Sequence, residues 1–459
     1  MNRITQQICF CLLLFFAAFA PLKSHAQRCD VDAEAIFKLR KADIGAYAIW
    51  DGVHGDKEHD ERYGAGEIME NGHVFVAGTR GSMGKPSPAL ILAEIDRRGR
   101  VVWETKRNVK GLERILGTVR FGDDYIVTAR IQDGRDKTSI WVGFFDAKGA
   151  LRSDRTFRHN GGSFVYANII PSVNGKGLVM VGSVRSKQSD ALLFSEFYRL
   201  NSKGQVISKR AFNPGPDNGL YRITPAQDGN YLAVGYINNA RNRKTGWLLK
   251  IDEKGNIIWQ RQYPRGIGAE LVGAEEMSNG DIIAFGTALP AQENALKAGW
   301  LVQLDPDNGG MKWQRYFTGN YDYSGKDLTV NDDNLISVLL DAKPVAGYFE
   351  EEGVPVKDYS RIVTLNPRGV IFDSQAYFEG EIADGEDLLV SPAGERIIIG
   401  SAQIAYQEQN EAVSGDDAAG DTAKPIERRS YEGWIIATPR ADSYVDPCKP
   451  KKERALKTL

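Results

Sequence analysis

The chain has 459 residues, 42% of them apolar and 26% charged, with a formal net charge of −2. That balance supports a hydrophobic core and excludes a globally disordered chain. It also excludes partners that need a strongly basic surface, nucleic acid and anionic membranes above all.

The first element is a targeting segment. Arg3 precedes the apolar run Ile8 to Ala20, and Ser24-His25-Ala26 suits cleavage before Gln27, so residues 1–26 are predicted to be a signal peptide. The run is too short for a membrane span. The residues before Cys29, Ala-Gln-Arg, do not suit a lipid anchor. The mature chain is therefore expected in the periplasm or outside the cell. Cleavage removes Arg3, Lys23 and no acid, which moves the net charge to −4. It also removes Cys9 and Cys11, leaving Cys29 and Cys448 at opposite ends of a single domain spanning 27–448. Export favours a disulfide between them, worth up to ~5 kcal/mol by chain entropy; two free thiols are the alternative.

Residues 33–40 are read as a short helix and 46–53 as a strand. A repeat follows. Gly246 to Tyr263, GWLLKIDEKGNIIWQRQY, holds two runs of period-two alternation around Asp252-Glu-Lys-Gly255. Alternating β-branched and aromatic residues mark strands, and an Asp-to-Gly turn joins a hairpin. The turn recurs with its Gly at positions 99, 149, 204, 255, 309 and 369, so the period is 50 to 60 residues. All eight Trp fall at two positions of the repeat, before the turn (Trp141, Trp247, Trp300, Trp434) or after it (Trp50, Trp103, Trp259, Trp313), as packing residues would. An upstream half, such as Gly280-Asp-Ile-Ile-Ala-Phe-Gly286, adds two more strands.

Four strands per unit of about 50 residues define a β-propeller blade. The fold class expected is all-β, a seven-bladed propeller with blades near 63–109, 112–157, 164–212, 220–263, 270–317, 326–378 and 386–438. The last blade lacks a strand, and 46–53 is predicted to supply it and close the ring, which removes exposed sheet edges. Residues 449–459 form a basic tail.

The longest loops, 288–298, 342–357 and 405–431, are of the kind that share one face, and 405–431 is polar enough to be mobile. Long loops on one face mark a binding surface, or neutral drift. The connections between blades place polar residues at the expected channel mouth: His54, His59, Asp60, Arg62, Arg114, His159, Arg222, Tyr321, Asp322, Glu381 and Asp384. The run His54 to Asp60 has metal-ligating residue types in no standard spacing, and the acidic run Glu379 to Asp387 has the chemistry for Ca²⁺. Both also read as solvated loops. No nucleophile elbow, P-loop, His-Glu-x-x-His or Cys-x-x-Cys is present.

The repeat resembles the quinoprotein-like family of propellers, whose blades carry Ala-x-Asp-x-x-Thr-Gly-x-x-x-Trp. Leu304-Asp305 to Gly309 and Trp313 keep the Asp, Gly and Trp at that spacing, and the units at Asp96 and Asp252 shorten it by one. The repeats are also similar to those of exported bacterial proteins with the pattern GWLxKxDxxGxxxW. The catalytic members imply a pyrroloquinoline quinone, an adjacent Cys pair and commonly eight blades. The missing Cys pair and the seven units point to the non-catalytic branch, which acts by protein contact. The expectation is then a monomeric binding or scaffold module for a protein or glycan, with no predicted cofactor. The alternative is an enzyme, either a quinone-dependent oxidoreductase or a hydrolase or lyase. That reading requires a cluster of buried titratable groups with perturbed pKa at the ring axis. A structural assembly factor is a third reading, marked by an exposed apolar patch.

Overall fold

Alternation along each run puts one set of side chains on each face of a strand, and the computed structural model pairs these strands into seven sheets. It describes residues 33–39, 48–82, 88–187, 192–212, 215, 217–239, 241–291, 295–345, 357–408 and 426–440. These contain strands and no helix. Six sheets are four-stranded, and the fifth blade carries an extra strand. The innermost strands are, in order, His59–Ile68, Leu112–Phe121, Gly162–Pro171, Asn218–Pro225, Gly268–Glu276, Tyr321–Val330 and Ile382–Val390. Third strands are buried on both faces, as Ala298–Leu304 is throughout, whereas fourth strands such as Val206–Phe212 are mostly exposed.

The ring closes through Trp50–His54, which pairs antiparallel with the strand ending at Thr438, Trp50 opposite Ala437 and His54 opposite Gly433. The seventh sheet therefore takes its outer strand from the other end of the chain.

The helix expected at 33–40 is not formed. Glu34–Lys38 is a strand, added parallel to Met311–Thr318 on the outer edge of blade five. Phe37 stacks on Phe317 with centroids 6.2 Å apart. Tertiary pairing overrides the local preference of Ala, Leu and Lys for helix. Cys29, Cys448, the core of the 405–431 loop and the tail 449–459 lie outside the described residues.

The Trp–Gly pairing of the repeat has a physical cause. Turn glycines Gly99, Gly149 and Gly309 have φ of 78°, 74° and 67°. A Cβ on any of them would sit 2.7 Å from the indole of Trp50, Trp103 or Trp259, respectively, on the preceding blade. Real Cβ atoms do not approach that closely, so the turn must be bare as well as left-handed. Trp259 Nε1 also donates to Pro306 O at 3.0 Å. Blades one, four, five and seven thus rest an outer-strand Trp on the next blade's turn, Trp313 lying against Gly369 in the same way.

Candidate functional site

The inner strands share one irregularity. Their register against the second strand slips at Tyr63/Ala65, Ile115/Gly117, Phe164/Tyr166, Leu220/Arg222, Leu271/Gly273, Gly325/Asp327 and Gly385/Asp387. These are β-bulges, which leave a residue unpaired and re-aim its neighbours. Tyr221, Lys326 and Glu386 are bulged residues, and all three line the axial channel. One residue further on stand Tyr166, Arg222, Asp327 and Asp387, four equivalent positions of four blades, all on the wall of a channel of about 670 Å³.

At that level two carboxylates meet a guanidinium. Arg222 Nη1 pairs with Asp327 Oδ1. Asp327 also accepts from the backbone N–H of Leu328 at 2.7 Å and of Leu388, on blade seven, at 3.0 Å. Asp387 Oδ2 accepts from Gly66 N, on blade one, at 3.0 Å. Both carboxylates thus cap donors on the open edge of the next inner strand. Burial raises the Asp387 pKa well above the usual carboxylate range, and the charge of Asp327 and the hydrogen bond between the two side chains raise it further. Burial works against the Arg222 charge, but Asp327 and Asp387 outweigh it and hold the guanidinium protonated.

Above this level Lys326 Nζ lies 2.8 Å from Asp384 and 3.5 Å from Glu386. Burial opposes its charge, yet Glu386, Asp384 and Asp341 raise its pKa. Tyr221 Oη donates to Glu270 at 3.0 Å. Below it, burial pushes Glu67 to about 7. Glu275, which accepts from Val330 N at 2.7 Å, is likewise pushed by burial to about 7.

A carboxyl with a raised folded pKa binds its proton more tightly when folded. Stability then falls as pH rises from about 4.5 through about 7, and levels off above. Glu67→Gln and Glu275→Gln keep an acceptor oxygen and remove that penalty. Each is expected to gain ~1 kcal/mol at pH 8, about 1 °C in Tm, and nothing at pH 4.5. Thermal melts at the two pH values check this, and equal shifts at both would sink it.

The predicted site residues divide. Arg114 and Arg222 line the channel, and Asp384 reaches its lysine. His54, His59, Asp60 and Arg62 gather at the ring-closing seam instead. His54 Nε2 lies 3.1 Å from Gly99 O, and His59 Nδ1 lies 2.7 Å from Asp56. Asp60 accepts from Tyr431 N at 3.0 Å, and the Arg62 guanidinium lies 3.4 Å from the Tyr431 ring centroid. His159 faces Glu196 at 3.3 Å. Tyr321 packs on Tyr359, Asp322 accepts from Lys297 N at 2.7 Å, and Glu381 pairs with Arg429 at 3.2 Å. Sequence reasoning missed Asp327, Glu67, Glu275 and Lys326. Aligning inner strands on the glycine of the second strand would have put Arg222 and Asp387 in one column and exposed the pattern.

Two cofactor expectations can be tested on these contacts. Asp384 and Glu386, which a Ca²⁺ in the acidic run would need, are held by Lys326. Among the described residues no group of three or more His, Cys, Asp or Glu is arranged to hold a metal ion. The channel wall does not fit a flat, polyanionic quinone. None of the eight Trp lines it, and Arg222 and Lys326 are already paired with carboxylates. Among the described residues no helix is long and apolar enough to cross a membrane.

These features define a seven-bladed β-propeller with a polar axial channel. No protein-family model matches the chain, and no curated protein matches it. Solved structures with a similar arrangement include a 6-phosphogluconolactonase-like protein of Bacteroides fragilis, 12% identical, with TM-score 0.45 over 83% of this chain and 98% of that one. Another is the periplasmic gluconolactonase of Pseudomonas aeruginosa, 13% identical, with TM-score 0.46 over 70% and 86%. A third is the hydrazine synthase of Kuenenia stuttgartiensis, 11% identical, with TM-score 0.42 over 73% and 91%.

Proposed function

We propose that the protein is an enzyme of the hydrolase or lyase kind, working by general acid–base chemistry on a small polar substrate in the axial channel. The observation that carries this is the Asp327–Asp387 pair, in which burial and the neighbouring Asp327 charge make Asp387 hold its proton more tightly than an ordinary carboxyl, beside a partner fixed by Arg222. Paired carboxyl groups pushed apart in pKa divide the roles of acid and base between them. Asp387 is the more exposed member and faces the channel; Asp327 is 2% exposed. In a hydrolysis the leaving oxygen takes the Asp387 proton as its bond to carbon breaks. Water adds to that carbon and returns a proton to the carboxylate. Arg222 keeps the negative charge of the pair in place throughout. Tyr221, Glu270 and Lys326 orient hydroxyl groups above it. No redox group is needed.

The scaffold role expected from the long loops is the alternative; 292–294, 346–356 and 409–425 of those loops lie outside the described residues. Export remains part of the proposal, on the leader at 1–26. The test is a panel of small lactones, glycosides and uronates. Asp387→Asn is expected to lower turnover by about 10²–10⁴ with no loss of melting temperature, since Asn can still accept from Gly66 N. Full activity in that variant, or no turnover by the unmodified protein across the panel, would overturn the reading.

A further inference from the structure

Beside the channel, between blades two and three, lies a second cavity of about 510 Å³. Neighbouring residues of the same two inner strands line the two spaces: Glu113 and Val165 the groove, Arg114 and Tyr166 the channel. The groove is cationic in a chain whose net charge is −2. Five cationic side chains and two carboxylates line it. One carboxylate, Glu113, is already matched by Arg130 at 2.6 Å, and the other, Asp136, is exposed. Among the described residues Arg135, Lys137, Arg185 and Lys187 make no ion pair, and Arg135, Arg185 and Lys187 are exposed.

We infer that this groove binds the charged part of an anionic oligosaccharide, whose neutral end enters the channel. The inference rests on the acid–base reading of the channel and names its substrate class. Three features select a sugar. The channel wall carries Glu270, whose carboxylate accepts from the Tyr221 hydroxyl at 3.0 Å and pairs with Lys244 at 2.9 Å, an acceptor suited to sugar hydroxyls. Tyr166 and Tyr221 stand edge to face at 5.7 Å and offer a sugar ring an apolar surface. The groove itself has Val165 as its one aliphatic wall, too little for the apolar side chains of a docked peptide. A ligand charged along its whole length, such as a nucleic acid, satisfies the groove and clashes with the carboxylates of the channel.

The test uses the Asp387→Asn protein, so that binding is measured without turnover. Isothermal titration is run with a trisaccharide of two neutral sugars and one terminal uronate, its methyl ester, the same trisaccharide with a terminal sulfate in place of the uronate, and a short single-stranded DNA. Tight binding of either anionic sugar supports the inference, and the better of the two tells carboxylate from sulfate. Affinity should fall at least about tenfold for the ester, and again as salt rises toward about 1 M, where charges are screened within ~3 Å. Arg185→Glu with Lys187→Glu should lose at least about tenfold with an unchanged melting curve. Equal binding of the ester, no binding of either anionic sugar, tighter binding of DNA, or an unaffected double variant overturns it. The two readings fail separately. Loss of groove binding with turnover intact removes this inference alone, and groove binding without turnover removes the acid–base reading.

Discussion

Arg222→Leu is expected to destabilise the protein by about 3 kcal/mol at pH 8 and by much less at pH 5. The guanidinium is the cation facing Asp327 and Asp387, and Asp327 is 2% exposed. Removing one partner of a buried ion pair leaves an uncompensated charge, which costs ~3–5 kcal/mol; the 28% exposure of the Arg222 side chain puts the effect at the lower end. The pH dependence follows from sign. Without Arg222 the carboxylate pair binds its proton more tightly in the folded state than in the unfolded chain. Stability is then retained near the ordinary carboxylate pKa and lost as pH rises through the folded one. Neighbouring charges do not offset this. Glu275 faces the same group and is also pushed upward by burial, with the Asp327 charge adding to it. Urea titrations at pH 5 and pH 8 decide the matter, and a loss of equal size at both would show that Arg222 acts by packing alone.

The second large effect concerns closure. A chain starting at Gly55 lacks Trp50–His54 and leaves the strand through Trp434 as an open edge. It also strips the indole of Trp50 from the turn at Gly99. Exposed edges pair with other chains, so the truncated protein is expected to aggregate and to lose cooperative melting. A chain starting at Ala48 loses the extra strand Glu34–Lys38 and keeps the closing one, and is expected to stay monodisperse. Gel filtration and calorimetry of the pair separate the two roles. Similar melting of both with the full chain would mean that closure contributes little.

The difference between what was legible and what was not has a physical origin. Blades could be read because their determinants are local: a turn that needs Gly, an alternation of period two, and an indole at fixed distance from that Gly. Closure could be read because 46–53 repeats the pattern of an outer strand, and Trp50–His54 occupies that place. The axial site is assembled otherwise. Arg222 and Asp327 are 105 residues apart and meet because each lies one residue past a bulge. A bulge has no strong residue signature here, since Gly64, Val272 and Lys326 all occupy one. Connections between blades were expected to hold the polar site, but Arg114, Arg222 and Asp384 lie within inner strands. His54 and His59 went to the seam, where Arg80 joins Asp56 and Glu61. Residues 33–40 failed for the opposite reason. Their local preference is helical, and the edge of blade five offered more.

The contact between an outer-strand Trp and the following turn occurs at four of the seven junctions and runs in one direction only, from one blade to the next. Trp50 of the closing strand makes it with Gly99 as Trp103 does with Gly149 and Trp259 with Gly309. Such an interface is heterologous, as in head-to-tail subunits, and a heterologous interface either propagates without limit or returns to its start. The molecule therefore resembles a cyclic heptamer whose protomers happen to be tethered. In a linear stack the first turn and the last indole would have no counterpart; in the ring each finds the other. The join between the two ends of the chain is, in its contacts, one more copy of the same protomer interface.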